Sequence, residues 1–202
     1  MVLFLVVAGS TKERVPFVHV NKEKGALKVA LRAMLHNGPW LAVFFSSLAM
    51  FARLGVLTGG TIYVALAVFH DPSAISIVLT AFSVSALVGS IVTPWVLKKL
   101  GYRRGIIAGL LASIVLTFGL VLFRDDLTMF TLLFFVSGVI GGFGFVAAPA
   151  LISDTVEYQA HQTGQRNEGL LYAGYSFGTK VGTALGGALL AWGLAAIGYS
   201  PA

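Results

Sequence analysis

Long apolar runs separated by short polar stretches dominate this sequence. Five runs follow one another, at residues 40–69, 75–97, 106–123, 127–152 and 170–199. Each is longer than the 9–11 residues of a membrane barrel strand, and about 20 apolar residues let a helix cross a bilayer. A sixth apolar stretch, residues 1–9, is too short to cross and is interpreted as the end of another span. The pattern predicts an all-α polytopic membrane protein with five full transmembrane helices plus a partial one.

The composition agrees with this interpretation. Of the 202 residues, 57% are hydrophobic and 11% are charged, whereas soluble domains carry about 25% charged residues. The net charge of +6 does not indicate nucleic-acid binding, because the basic residues lie in separate segments instead of on one face. Cysteine is absent and the four histidines are scattered, so no metal site or other cofactor is expected. No nucleophile, base and orienting acid group together, so an enzyme is not expected.

The distribution of Lys and Arg predicts the orientation. Six basic residues lie in the connector at 10–39, four in the loop at 98–105, and Arg166 in the loop at 153–169. Arg124 is the one basic residue of the opposite loops, so the positive-inside rule places the connector and both basic loops in the cytoplasm and the chain in the inner membrane. Within the connector, basic residues recur every fourth position. This spacing predicts a short amphipathic helix on the membrane surface or, alternatively, a solvated linker helix; the residues are Lys24, Lys28, Arg32 and His36.

The last apolar run contains a lysine. A lysine at the centre of a membrane helix costs roughly 2.5–3.5 kcal/mol, so we expect Lys180 to face a cavity or a carboxylate. Helical spacing places three polar residues on the same stripe; they are Tyr172, Ser176 and Thr183. On nearly the opposite face, glycines recur every fourth residue and predict close helix packing. The polar stripe predicts a substrate pathway, the alternative being a structural ion pair.

Arg53 is the second charge inside a run, and for it we favour a structural or cavity-lining role over substrate contact. None of the eight acidic residues lies inside a full run. Coupling to a proton or sodium ion needs a carboxylate or other oxygen ligands within the membrane. Either transport is uncoupled, or the acid lies on a segment outside this sequence.

Two acids interrupt the basic inner surface. Asp154 and Glu157 are predicted to lie at a helix C-terminus, where the helix dipole disfavours anions. We therefore expect these acids to have cationic partners. Because exposed ion pairs are individually weak, we interpret the network as an inner latch and not as a stabiliser of the fold. A solvated loop is the alternative. The candidate partners are Arg166, Lys98, Arg103 and Arg104.

Several motifs are similar to those of a known family. Residues 154–158 read DTVEY and residues 163–169 read TGQRNEG, and the helix around Lys180 follows them. Upstream, residues 98–104 read KKLGYRR and residues 11–15 read TKERV. The combination resembles the glycoside–pentoside–hexuronide:cation symporters, the melibiose-permease-like branch of the major facilitator superfamily.

The resemblance implies a major-facilitator-type C-terminal half-bundle. Residues 1–9 would end the sixth family helix, 10–39 would be the connector and 40–199 would be helices seven to eleven. Residues 200–202 would be an outer tail, with helix twelve and the N-terminal half missing. The coupling cation would bind mainly on that N-terminal half. Lys180 would contribute charge to the central cavity beside Ser176, and Phe145 would form an aromatic wall where relatives have tryptophan.

The resemblance also assigns the inner residues, with Asp154, Glu157 and Arg166 belonging to a cytoplasmic latch between the two halves. The function expected from sequence is that of a C-terminal fragment of a secondary transporter. It would couple uptake of a sugar or glycoside to H⁺ or Na⁺ by alternating access. Its partners would be the sugar, the bilayer and the missing half. A membrane scaffold or assembly subunit without transport activity is the alternative.

Overall fold

The structure of the protein is a computed structural model that describes residues 9–10, 26–164 and 166–199. Residues 1–8, most of the connector with Lys12, Arg14, Lys22 and Lys24, and the tail at 200–202 lie outside the described residues. Between residues 26 and 199 the structure contains six helices. They are α1 (Ala26–Leu35), α2 (Gly38–Ala67), α3 (Ser73–Leu100), α4 (Tyr102–Leu122), α5 (Leu127–Thr163) and α6 (Glu168–Ala196).

The predicted all-α architecture is confirmed for the part of the chain that the structure describes. Four helices, α2 to α5, are long and apolar enough to cross a membrane. The last helix, α6, has sufficient length at 29 residues but is not among those four. Its lysine, glycines and hydroxyl-bearing side chains lower its hydropathy. By length and composition, therefore, four of the five predicted full spans are present.

Local sequence signals explain where the long helices begin. Asn37 caps α2 by accepting a hydrogen bond from the Trp40 backbone N–H, and a proline follows in the first turn. Asp126 caps α5 by accepting from the backbone N–H groups of Thr128 and Met129. These side chains satisfy N–H groups that have no partner inside the helix. Between α2 and α3, the Ser73 hydroxyl and the Ser73 backbone N–H both donate hydrogen bonds to the Asp71 carboxylate. These bonds, above all the one from the hydroxyl, hold the pKa of Asp71 below its usual value.

The basic loop predicted at 98–105 is almost entirely helical. α3 ends at Leu100 and α4 begins at Tyr102, so Gly101 alone separates them. Gly101 has a φ of 77°, a conformation that glycine adopts without steric cost, which is why the chain turns there within one residue. The loop prediction was wrong because low hydropathy marks the membrane boundary and not the end of a helix.

The helix α5 also corrects a prediction. It continues past the apolar run to Thr163, where Gly164 ends it at a φ of 67°, so most of the predicted loop at 153–169 is helical. Glu157 lies six residues before this end and Asp154 lies nine, so neither is in the last turn and the argument from the helix dipole does not apply. The extension is held by packing, because Val156 is buried against Met34, Trp40 and Leu171.

The helices pack as two principal pairs, α2 with α6 and α3 with α5, and α4 lies against α5. Two apolar clusters mark opposite ends of the bundle. At one end, Met34, Trp40, Val156 and Leu171 are buried together, and the Trp40 ring N–H donates to the Leu171 carbonyl over 3.1 Å. At the other end, the buried cluster is Val78, Leu120, Phe130 and Phe134. This arrangement fixes how α2, α5 and α6 present their polar residues.

Candidate functional site

One face of α6 is packed tightly against α2. Gly178 and Gly182 are buried, and a methyl group at Gly182 would come within 2.5 Å of the Leu48 carbonyl oxygen. On the opposing helix, a methyl group at Gly55 would come within 3.0 Å of the Thr183 carbonyl oxygen. Only glycine lets the two backbones approach this closely. The packing face predicted from the glycine spacing is therefore confirmed.

The polar face of α6 consists of Tyr172, Ser176, Lys180 and Thr183. Ser176, Lys180 and Thr183 are exposed, whereas the glycines on the other side of the helix are covered by α2. The Thr183 hydroxyl donates back to the Thr179 carbonyl oxygen. No described residue forms an ion pair with Lys180. The helix thus presents a lysine in its middle on a face that the described residues leave open.

Tyr172 lies at the N-terminal end of the polar face and connects α6 to α5. Its hydroxyl is 2.9 Å from the Ser153 hydroxyl and donates to the Pro149 carbonyl oxygen over 3.3 Å. A proline within a helix removes one backbone hydrogen bond, so α5 has a weak point close to this contact. Tyr172 therefore couples the polar face to a segment of α5 where bending is easier.

A second polar centre lies between α2 and α5. Arg53 is in the middle of α2, and its Nη2 donates to the Ser137 hydroxyl over 2.7 Å. Ser137 is 2% exposed, so this contact is shielded from bulk solvent. The contact joins residues 84 positions apart in sequence, so spacing alone could not have revealed it. A polar side chain in the middle of the fourth apolar run was the available signal.

A cavity of about 210 Å³ borders Arg53 and Ser137. It is formed by α2, α3 and α5, and its other walls include Leu54, Phe82 and Phe145. Phe145 is partly exposed, and its ring meets Phe51 edge-on with centroids 5.2 Å apart. Arg53 therefore borders a cavity, which agrees with one of the two roles favoured for it. Of the five residues proposed for substrate contact, Phe145 lines this cavity, and Lys180, Ser176, Thr183 and Tyr172 do not.

The predicted latch residues are brought together only in part. Arg166 Nη2 is 2.9 Å from Glu157 Oε1, and its Nε is 3.6 Å from Glu168 Oε2, so one arginine joins the acids of α5 and α6. The expected cationic partner of Glu157 is thus confirmed. Asp154 has no ion-pair partner among the residues that the structure describes. Lys98, Arg103 and Arg104 are exposed at the turn between α3 and α4 and form no ion pair with either acid in the described part of the chain, so a wider latch stays a prediction.

Comparison with known proteins gives a match along the whole chain. A family model described as MFS/sugar transport protein matches residues 1–202. The chain is 31% identical to the isoprimeverose transporter of Lactiplantibacillus pentosus, over 98% of the chain and 42% of that relative. It is 30% identical to the inner membrane symporter YicJ of Escherichia coli K12, over 96% of the chain and 42% of that relative. It is 26% identical to the glucuronide carrier protein homolog of the same organism, over 98% of the chain and 43% of that relative.

The chain therefore spans less than half the length of the curated relatives it matches. No solved structure matches it. The similarity covers both the polar face of α6 and the cavity beside Arg53.

Proposed function

This chain belongs to the MFS/sugar transport protein family, and from that premise we propose that it forms the C-terminal part of a secondary transporter for a sugar or glycoside. Transport would proceed by alternating access and would be coupled to H⁺ or Na⁺. The match over residues 1–202 establishes that the family is one of transporters and not of enzymes. The coupling ion, the direction of transport and the identity of the sugar are parts of the proposal.

The observation that carries the proposal is the exposed lysine on α6. In a bilayer, a face left open by this bundle meets either lipid or another part of the transporter. Lys180 in contact with lipid would cost a few kcal/mol, so we infer that its face is covered by a polar pathway. The glycine face on the opposite side holds the helix against α2, which fixes the direction in which the lysine points.

The polar face has the chemistry required to bind a sugar. An ammonium group donates three hydrogen bonds and accepts none, so it suits hydroxyl oxygens and carboxylates equally. Ser176 and Thr183 add hydroxyl groups that can donate or accept, and Tyr172 adds a third at the N-terminal end. Phe145 supplies an apolar surface for a sugar ring. In the proposal, these five residues contribute one wall of a site near the middle of the membrane.

The coupling ion would bind on another part of the transporter. Among the described residues, the acids lie at the ends of helices or beyond the apolar stretches, and a cation inside the membrane needs oxygen ligands. The relatives include a symporter, an isoprimeverose transporter and a glucuronide carrier homolog. These names support a sugar or glycoside as substrate and ion-coupled movement as the mode of transport.

The test is sugar uptake by the full-length transporter that contains this chain, reconstituted in vesicles with an imposed proton or sodium gradient. A panel of monosaccharides and glycosides identifies the substrate. We expect uphill accumulation of at least one panel member, and we expect Lys180→Ala to reduce it at least 100-fold. Loss of a charge-assisted hydrogen bond of about 1.5–3 kcal/mol accounts for a factor of roughly 10–100, and loss of the positive charge from the pathway adds to it.

Lys99→Ala is the matched control, since it removes a lysine from the exposed end of α3, and it should retain uptake. Both variants must elute as a single species in detergent, so that a folding defect is recognised. Normal accumulation in Lys180→Ala would remove the lysine from the substrate path. A full-length protein that accumulates no sugar under any gradient would favour a scaffold without transport activity.

A further inference from the structure

Four glycines lie within seven residues of α5, and packing explains three of them. A methyl group at Gly138 or Gly142 would press against α3, and a methyl group at Gly144 would press against α2. At Gly141, a methyl group would meet nothing within 4 Å. Glycine destabilises the interior of a helix relative to alanine, because it loses more backbone freedom on folding. Gly141 therefore has a cost that packing among the described residues does not explain.

Gly141 lies on the wall of the cavity beside Arg53. Ser137, Gly141 and Phe145 are spaced by four residues, so they share one face of α5, and all three line this cavity. Four residues of an α-helix rise about 6 Å. Gly141 thus lies between the hydrogen bond of Arg53 to Ser137 on one side and the ring of Phe145 on the other. A side chain at position 141 would enter the cavity between them.

The cavity has the size and chemistry to receive one part of a sugar substrate. Its volume of about 210 Å³ is below the roughly 300–1,000 Å³ of complete small-molecule sites, so it has room for one ring or substituent. Arg53 and Ser137 supply polar groups at one end, and Phe145 supplies an aromatic ring at the other. The proposed function already places Phe145 against the sugar. A group attached to that sugar would then lie over Gly141.

We propose that Gly141 is a specificity-determining residue that sets the size of the substrate accepted by the transporter. The proposal rests on the proposed transport function and deepens it at the same site. With glycine at position 141, the cavity receives a second ring or an aglycone attached to the sugar that contacts Phe145. A larger side chain fills this space and restricts the transporter to small substrates. The alternative is that another part of the transporter packs against Gly141.

The experiment varies the side chain at position 141 and the size of the substrate together. The full-length transporter is prepared as the wild type, Gly141→Ala and Gly141→Leu. The probes are glucose, galactose and xylose, each as the free sugar, the methyl glycoside and the 4-nitrophenyl glycoside. Binding is measured by ligand-induced thermal stabilisation, and uptake is measured in vesicles. For the wild type, we expect at least one 4-nitrophenyl glycoside to bind at least as tightly as its parent sugar.

The two variants should act on large probes and spare small ones. One methylene in a pocket changes discrimination by about 10- to 200-fold, so Gly141→Leu should weaken binding of that 4-nitrophenyl glycoside at least tenfold. Binding of the free sugar should stay within about twofold, and Gly141→Ala should lie between the wild type and Gly141→Leu. Gly141→Ala should also keep or raise the melting temperature, because its methyl group meets nothing within 4 Å and alanine favours a helix.

Gly193→Leu is the matched control. It makes the same change at a glycine of α6 where a methyl group also meets nothing within 4 Å and which does not line the cavity. The ratio of binding between large and small probes should be that of the wild type. A ratio that changes equally in Gly193→Leu and Gly141→Leu would overturn the assignment of size selection to position 141.

The remaining outcomes separate the role of Gly141 from the transport function. Equal weakening of small and large probes by Gly141→Leu, or no weakening of either, would overturn the role of Gly141 and leave transport standing. A lower melting temperature of Gly141→Ala would also overturn it, because position 141 would then pack against another part of the transporter. If Gly141→Leu does not fold, the ratio in Gly141→Ala decides, and an unchanged ratio contradicts the proposal. Absence of binding and uptake for every probe would contradict the transport function itself.

Discussion

At the scale of single residues, the two intramembrane cations differ in their surroundings. Lys180 lies on an open face of α6, and Arg53 lies in a cavity and donates to a buried serine. The sequence identified both as exceptional, because charged residues inside apolar runs are rare. It could not identify Ser137 as the partner of Arg53, since their contact depends on how α2 packs against α5. The face that a polar residue occupies on its own helix was predictable, and its hydrogen-bond partner on another helix was not.

The ion pairs of Arg166 provide a prediction at this scale. Arg166 bridges Glu157 and Glu168, and all three side chains are more than half exposed, so the bridge should contribute only about 0–1 kcal/mol to stability. We therefore expect Arg166→Ala to lower the melting temperature of the full-length transporter by no more than about 4 °C. If the bridge belongs to an inner latch, the same change should shift the protein towards the inward-open state.

Arg124→Ala serves as the control, because it breaks a similarly exposed ion pair with Asp125 in the turn between α4 and α5. The readout is the rate at which a cysteine in the central cavity is labelled from each side of the membrane. An unchanged ratio of the two rates in Arg166→Ala would mean that the bridge is a solvated contact without a role in gating.

At the scale of helices, periodicity predicted the packing surfaces better than hydropathy predicted the boundaries. The glycine spacing of α6 identified the face that meets α2, because positions i and i+4 share a face in any α-helix. The end of α5 was misplaced by eleven residues, from Ile152 to Thr163. Hydropathy falls where the membrane ends, and the helix continues because Thr155, Val156 and Gln159 are buried beyond that point. Asn37 accounts for part of this burial, since its amide donates to the Thr155 carbonyl oxygen.

The close contact of α6 with α2 leads to a prediction at the element scale. Gly182→Leu places a side chain where even a methyl group meets the Leu48 carbonyl oxygen. Overpacking of this kind typically costs about 1–3 kcal/mol, so we expect a clear loss of folded yield and a lower melting temperature in detergent. Gly187→Leu is the matched control, because a methyl group there meets nothing within 4 Å. Equal yields for the two variants would contradict the close approach of the helices.

At the scale of the whole molecule, the family was predictable and part of the site was not. The motifs at residues 98–104, 154–158 and 163–169 indicated the symporter family, and the match over residues 1–202 confirms that membership. The described residues form one open bundle in which the polar face of α6 and the cavity beside Arg53 are separate features. Sequence reasoning grouped Phe145 with Lys180, whereas the structure places Phe145 on the cavity of Arg53. That these residues share one site stays a prediction, because it depends on which surfaces of three helices converge.

The central claim is that the face of α6 bearing Ser176 and Lys180 lines the sugar pathway. Because the chain contains no cysteine, Ser176→Cys introduces one thiol on this face. Leu185→Cys introduces one at an exposed position that lies about two and a half turns further along α6, on the other side of the helix. The decisive measurement is the labelling rate of each thiol by a water-soluble maleimide in the full-length transporter, with and without the transported sugar. We predict that Ser176→Cys is labelled from water and that the sugar slows its labelling at least fivefold, with no effect at Leu185→Cys. A thiol at position 176 that is inaccessible from water, or labelled equally fast with and without sugar, would contradict the account.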